Sequence, residues 1–307
     1  MIVCCGEALI DMLPRESAAG EPAFAPYAGG AIFNSAIALG RLGAPVEFFS
    51  GLSSDLFGQQ IRDVLAESKV GSRFADVSAR PTTLAFVRLQ DGHATYTFYD
   101  ENTAGRMLNE DDLPSFEEDV AAMLFGGISL IAEPCGSTYE ALMRREHQDR
   151  LIMLDPNIRP GFITDRDKHA ERILRMMAMS DIVKLSDEDL AWFGETGSVD
   201  DIAAQWLRTG PKLIIVTQGS KSVIAYSDSQ KVTVNPRRVE VIDTVGAGDT
   251  FNAGVLAALH DKSALTKAKV AALSADELRG ALELGVKAAA VTVSRAGANP
   301  PWRHELD

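Results

Sequence analysis

Residues 243–251 read Asp-Thr-Val-Gly-Ala-Gly-Asp-Thr-Phe, and the rest of the chain is organised around them. A strand-like run, Val239 to Ile242, precedes the stretch. Asn252 to Leu259, rich in Ala and Leu at helical spacing, follows it. The glycines therefore fall where a strand hands over to a helix. A turn made there without Cβ atoms leaves several backbone N–H groups unpaired and aimed at one spot. With the helix dipole behind them, those donors form a site for an anion, most often phosphate. Asp249 sets the loop apart from a plain phosphate cradle. A carboxylate repels a resting phosphate, but it suits a loop that must also deprotonate the attacking group. An ionised Asp accepts the proton of an attacking hydroxyl, a contribution of about 10²–10⁴ in rate. Read without that chemistry, the stretch is a helix N-terminus with Gly for the turn and Asp or Thr as cap.

Composition narrows the setting. With 307 residues, 46% of them hydrophobic and 24% charged, the chain can build one large core plus a small appendage. The net charge of −13 argues against nucleic acid or an anionic membrane as partner. An anionic substrate must then be drawn in by local donors rather than by the overall field. Three cysteines, two of them adjacent (Cys4 and Cys5), make neither a disulfide framework nor a metal spacing. They read as buried thiols in a reducing compartment. Met1 to Cys5 is too short an apolar run for a signal peptide and lacks a basic leader. No stretch approaches a membrane span. These features predict a cytoplasmic protein forming a single unit over residues 1–307.

Along the chain, an opening strand from Ile2 to Cys5 runs through Gly6 and Glu7 to Asp11, which is either a turn cap or a ligand contact. Residues 13–28 carry Pro, Ala and Gly with no helix period and end at Gly29-Gly30, ahead of a helix through Leu42 that bears Asn34 in its first turn. Val46 to Ser50 reads as a strand, and Asp55 caps the helix after it. Thr82 to Leu89 and Ala94 to Tyr99, joined by Asp91-Gly92, predict a hairpin. From about residue 120 the βα alternation is steady, which implies a parallel sheet with helices on both faces. Leu151 to Leu154 ends in Asp155-Pro156-Asn157-Ile158-Arg159, and Ile182 to Leu185 ends in Ser186-Asp187-Glu188-Asp189. Leu213 to Val216 ends in Thr217-Gln218-Gly219. Polar residues just past the carboxyl ends of parallel strands lie on the edge where such folds bind ligands. A long Ala-rich helix, Ala275 to about Val293, closes on Ser294 to Asn299.

Several of these motifs, in this order, resemble the ribokinase-like (PfkB) sugar kinases. Residues 243–249 match that family's D-T-x-G-A-G-D signature, and Gly29 to Ala36 matches G-G-x-x-x-N-x-A. The resemblance implies a ribokinase-like α/β fold: a central, mostly parallel sheet with helices on both faces and a small β-sheet lid from about 12–28 and 82–100. It implies Asp249 as catalytic base, an anion hole at Gly246, Ala247 and Gly248, and Arg159 near the transferring phosphoryl group. Asp11, Gly29, Gly30, Asn34, Arg159 and Phe98 would face the sugar, with Phe86 and Arg88 also placed over it. ATP would lie along Lys184, Ser186, Thr217, Gly219, Gly246, Gly248, Gly297 and Asn299. Mg²⁺ would be ordered through water by an acid of 187–189, assigned to Asp189 where the family usually has N-x-x-E. Ser222 replaces the last Gly of the family's T-x-G-x-x-G turn. Asp243 and the Val245 backbone would enclose a monovalent cation, K⁺. The lid implies a homodimer clasp.

Phe98 to Arg106 resembles the fructokinase version of its stretch, as the whole chain resembles bacterial fructokinases. Asp100-Glu101 stands where relatives acting on 2-keto-3-deoxygluconate carry Tyr-Arg. Two acids there would repel an acidic sugar, so the expectation is a small neutral sugar, fructose, converted to fructose 6-phosphate. Other sugars or nucleosides, and a non-catalytic sugar sensor on the same fold, are the alternatives. A dinucleotide-binding reading of Gly246-Ala247-Gly248 fails because residue 251 is Phe where the fingerprint needs a third Gly.

Overall fold

The structure, a computed structural model, describes residues 1–90 and 93–306, without the side chains of 88–90 and 93–96. The predicted Asp91-Gly92 turn and the Arg88 side chain lie outside the described residues.

The strands of the main sheet are short apolar runs such as IVCC, AMLFG, LIMLD and LIIVT. Such runs suit strands buried on both faces. In spatial order they are Lys231–Val234, Val223–Tyr226, Leu213–Thr217, Ile182–Ser186, Leu151–Asp155, Ala122–Gly126, Ile2–Cys5 and Val46–Phe49. The last six are parallel, and the Val223–Tyr226 and Lys231–Val234 hairpin adds an antiparallel edge. Alternate side chains feed two cores. Ile2, Cys4, Leu124 and Met153 pack with the helices Ala31–Arg41, Ala247–Asp261 and Ala275–Val293. Val3, Cys5, Phe125 and Ile152 pack with Cys135–Glu146, Arg166–Ala178 and Val199–Leu207. The three cysteines are free and buried.

The Ile2–Cys5 strand lies between Val46–Phe49 and Ala122–Gly126, so the chain order reverses there. A crevice opens outside the carboxyl ends of strands at such a point. Over it stands a second sheet of four strands, ordered Pro22–Gly29, Leu9–Glu16, Leu84–Gln90 and His93–Tyr99. Asp11, Tyr27, Ala85 and Phe98 are cross-strand partners in that sheet and share one face.

Most element boundaries follow the sequence reading, with two corrections. Asp11 is the third residue of the Leu9–Glu16 strand and does not end the opening one. Val239 to Ile242 forms no strand: the main sheet already ends at Lys231–Val234, and the run crosses the surface. Val241 and Ile242 are 59% and 63% exposed there, and the Ile242 amide donates to the Val293 carbonyl at 2.8 Å.

Candidate active site

The helix Ala247–Asp261 starts at the crevice. Its N-cap, Gly246, has φ 78°, a left-handed conformation that favours glycine, and a Cβ there would lie 2.7 Å from Ala298 Cβ. The Ala247 amide turns back to the Thr244 carbonyl at 3.3 Å. The helix ladder begins with Thr250 N–H donating to the Gly246 carbonyl at 2.9 Å. Helix geometry leaves the first-turn amides of Gly248 and Asp249 without a ladder partner, the arrangement an anion needs. Of the three residues expected to make the anion hole, Ala247 therefore has its N–H engaged within the turn.

Asp249 is 7% exposed and accepts from Asn34 Nδ2 at 2.9 Å. Its carbonyl accepts from Ser35 Oγ at 3.1 Å. Burial pushes its carboxyl up to about 7; the Asn34 bond and the Lys184 charge oppose the rise, while Asp155 and Glu7 add to it. A base poised near neutrality is matched to work at neutral pH. Beside it, the buried Lys184 ammonium donates to Asp155 Oδ2 at 3.0 Å. Burial alone would lower that ammonium, yet Asp155, Asp189 and Asp249 together hold it above its ordinary value. A Cβ on Gly248 would come within 3.1 Å of Lys184 Nζ, so the ammonium sits directly behind the turn.

On the side expected to face a sugar, Gly30 caps the Ala31–Arg41 helix with φ 115°. A side chain on Gly29 would collide with the Asp11 carboxylate. Asp11 is half-buried, and burial raises its carboxyl to about 6. Phe98 packs edge-on against Phe162 with ring centroids 4.6 Å apart, joining the small sheet to the main body. Both rings line a cavity of about 400 Å³ together with Asp100, Arg106, Lys168 and Arg172. Arg159 is exposed and donates to the neighbouring Ile158 carbonyl at 3.0 Å. The structure gives it no bond to Asp155, Glu133 or Asp249.

On the opposite side, the Thr217 hydroxyl donates to the Leu185 carbonyl at 3.3 Å, and Gly219 has φ 54°. The turn closes without the missing glycine, since Gln218 N–H donates to the Ser222 carbonyl at 2.9 Å. Asp243 ties two loops together, accepting from Val245 N at 3.0 Å and Gly297 N at 2.9 Å. Asn299 Oδ1 accepts from Arg41 at 2.8 Å. Asp189 and Ser186 form a capping box on the helix Asp187–Phe193. Asp189 accepts from the Ser186 amide and hydroxyl at 2.7 and 2.8 Å and from Ile158 N at 2.8 Å. Both its oxygens are thus engaged in local structure. Among the described residues no group of three or more acids, histidines or cysteines could hold a metal ion. No helix among them is long and apolar enough to cross a membrane.

A buried acid at a helix N-terminus, beside first-turn amides free to hold an anion, is an arrangement that suits phosphoryl transfer. The sequence pattern of the family described as "pfkB family carbohydrate kinase" matches residues 1–305. This chain belongs to that family. Among its curated relatives is a fructokinase from Rhizobium leguminosarum bv. trifolii, 57% identical over 91% of this chain and 86% of its own length. A probable fructokinase-4 from Arabidopsis thaliana is 34% identical over 98% of this chain and 93% of its own. A crystal structure of a fructokinase with bound ATP from Xylella fastidiosa superposes with a TM-score of 0.89, at 29% identity. It covers 99% of this chain and 97% of that one.

Within this pfkB kinase three further groups belong to the site. Glu7 Oε1 accepts from Ala31 N at the start of the Ala31–Arg41 helix, and Asn252 Nδ2 donates to Asp155 Oδ2 at 2.6 Å. Ser35 holds the Asp249 backbone. Asn252 was legible, since three residues after Asp249 on a helix is the same face. The argument from two lid acids needs correction. Arg106 pairs with Asp100 at 2.9 Å, so the cavity beside Phe98 does not present an uncompensated acid at that position.

Proposed function

We propose that the protein is an ATP-dependent fructokinase, transferring the γ-phosphoryl group of ATP to the primary hydroxyl of fructose. The observation that carries the reading is Asp249, buried beside free helix-start amides and held by Asn34. Fructose lies on Asp11, Gly30 and Asn34 beneath the small sheet, with its primary hydroxyl towards Asp249. Asp249 takes the hydroxyl proton as the oxygen–phosphorus bond forms and the bond to ADP breaks. The Gly248 and Asp249 amides, with Lys184 behind them, stabilise the charge on the moving group. ATP runs along Ser186, Thr217–Gly219 and the 297–299 turn. Mg²⁺ would arrive with the ATP phosphates; among the described residues no acid cluster stands preformed, so the site would suit an ion that keeps its waters.

The rest of the reading is finer. Residues 1–307 act as one catalytic unit with the small sheet as lid. A K⁺ ion by Asp243 and Val245 supports the nucleotide loops. A second copy clasps the lid, whose Phe24, Tyr27 and Tyr99 are 49%, 47% and 60% exposed. The Asp100–Arg106 pair leaves one alternative acceptor, 2-keto-3-deoxygluconate, without the repulsion expected from Asp100.

ADP release with fructose, 2-keto-3-deoxygluconate, ribose, tagatose and adenosine tests the assignment. Turnover on fructose is expected. Turnover on another acceptor replaces the sugar, and none on any acceptor with sugar still bound points to a sensor. Replacing K⁺ by Na⁺ in the same assay, and sedimentation of the protein, test the cation and the clasp.

A further inference from the structure

We propose that Glu7 is a positioning residue of this site, setting the first turn of the Ala31–Arg41 helix so that Asn34 meets Asp249. The proposal rests on the kinase reading above.

Its basis is a helix start that cannot cap itself. Gly30 occupies the N-cap with φ 115° and provides no side-chain bond. A Cβ at Gly30 would come within 2.8 Å of the Glu7 carbonyl, so a capping side chain has no room. The missing acceptor comes from 24 residues earlier: Glu7 Oε1 accepts from Ala31 N at 2.8 Å. An acid at a helix N-terminus is also favoured by the dipole. The other oxygen, Oε2, accepts from Ser129 N at 3.2 Å. A Cβ on Gly127 would strike the same carboxylate. One side chain therefore joins the segment after the first strand, the sugar-side helix and the turn after Ala122–Gly126.

The consequence reaches the base within one turn. Asn34 N–H donates to the Gly30 carbonyl at 2.8 Å, and Asn34 Nδ2 holds Asp249. The neighbouring Ser35 hydroxyl holds the Asp249 backbone. A shift of the Ala31 turn moves both grips on Asp249 and the sugar-side glycines together. Glu7 is 8% exposed and has no ion-pair partner among the described residues. Tyr139 and Cys135 are the titratable groups beside it, and Asp155 and Lys184 join it around Asp249. Burial raises the Glu7 carboxyl itself, against the bonds from Ser129 and Ala31; ionised, its negative charge adds to the upward push on Asp249.

The test compares Glu7→Gln and Glu7→Asp. Gln keeps one acceptor but turns an NH₂ group against the other backbone N–H, losing one bond and the charge. Asp keeps the charge and loses the reach. For Glu7→Gln, kcat with fructose should fall on the order of 10–100-fold as the reacting groups lose alignment. The KM for fructose should rise while that for ATP stays within about two-fold. The acid limb of kcat/KM should move to lower pH. Glu7→Asp should lose kcat with the limb in place. Amide hydrogen exchange at Ala31 should speed up in both variants without any substrate.

Unchanged exchange at Ala31 would overturn the proposal. So would a variant that melts lower yet keeps wild-type kcat and both KM values, since that is stability alone. If Glu7→Gln does not fold, Glu7→Asp carries the same kinetic and exchange criteria. A wild-type protein that leaves fructose untouched would sink the kinase reading, while exchange at Ala31 would still judge the contact.

Discussion

Replacing Asp249 by Asn removes the charge and keeps the shape, and it should make the protein inactive but more stable. Burial raises this carboxyl from 3.8 to about 7 in the folded chain. The folded state therefore holds the proton more tightly than the unfolded one. The resulting stabilisation is complete below pH 3.8 and is lost as pH rises through 7. At about 1.4 kcal/mol for each factor of ten in proton affinity, the loss approaches a ceiling of about 4 kcal/mol above neutrality. Asn has no charge to bury, and its oxygen can still accept from Asn34. The variant should therefore gain about 2–4 kcal/mol at pH 8, about 3–6 °C in Tm for a chain of this size. At pH 5 the gain should shrink to under half, because the folded wild-type protein then carries the proton. Turnover should fall by at least about 10² while fructose still binds. Melting curves at pH 5 and 8, with ADP release at pH 8, make the measurement. Turnover near wild type would refute the base, and a lower Tm at pH 8 would refute the cost of burying the charge.

Three other perturbations follow from the same contacts. Lys184→Met strands the Asp155 carboxylate, whose side chain is 2% exposed, and should cost about 3–5 kcal/mol in denaturant unfolding. A loss no larger than that of a surface substitution would count against the buried pair. Asn34→Ala removes the bond that holds Asp249 down, so the acid limb of the kcat/KM profile should move to higher pH. A limb that stays in place, or moves lower, contradicts the assignment. Asp100→Asn frees Arg106 in a pair that is about a third exposed, so stability should change by less than about 1 kcal/mol. The ratio of kcat/KM for 2-keto-3-deoxygluconate over fructose should rise, and an unchanged ratio would remove this pair from specificity.

What the sequence showed clearly was whatever has a local cause. The buried strands announce themselves as apolar runs, and the 243–251 turn as glycines between an apolar run and an Ala-rich helix. Asp55 was legible as a cap because its partner, the Gly58 amide at 2.7 Å, is three residues away. Glu7 was not, because its partners lie 24 and 122 residues off and only the assembled sheet brings them near. The Val239 to Ile242 run misled for a related reason. An apolar run becomes a strand only where an edge is free to pair with it, and edge availability is a property of the whole sheet. The lid acids failed differently: Arg106, six residues after Asp100, neutralises it through a loop whose path the sequence does not dictate.

The hydrogen bonds also separate three acids engaged on both oxygens from Asp249. Asp189 accepts three bonds, two of them on Oδ2. Asp155 accepts from Lys184 and Asn252 on Oδ2 and from Asn157 N on Oδ1. Glu7 accepts one backbone N–H on each oxygen. In all three acids both oxygens are engaged, as buried carboxylates that hold structure must be. Asp249 differs: Oδ2 accepts from Asn34, and Oδ1 has no hydrogen-bond partner among the described residues. An acceptor hydroxyl would complete the set, at a carboxyl that burial has raised to about 7.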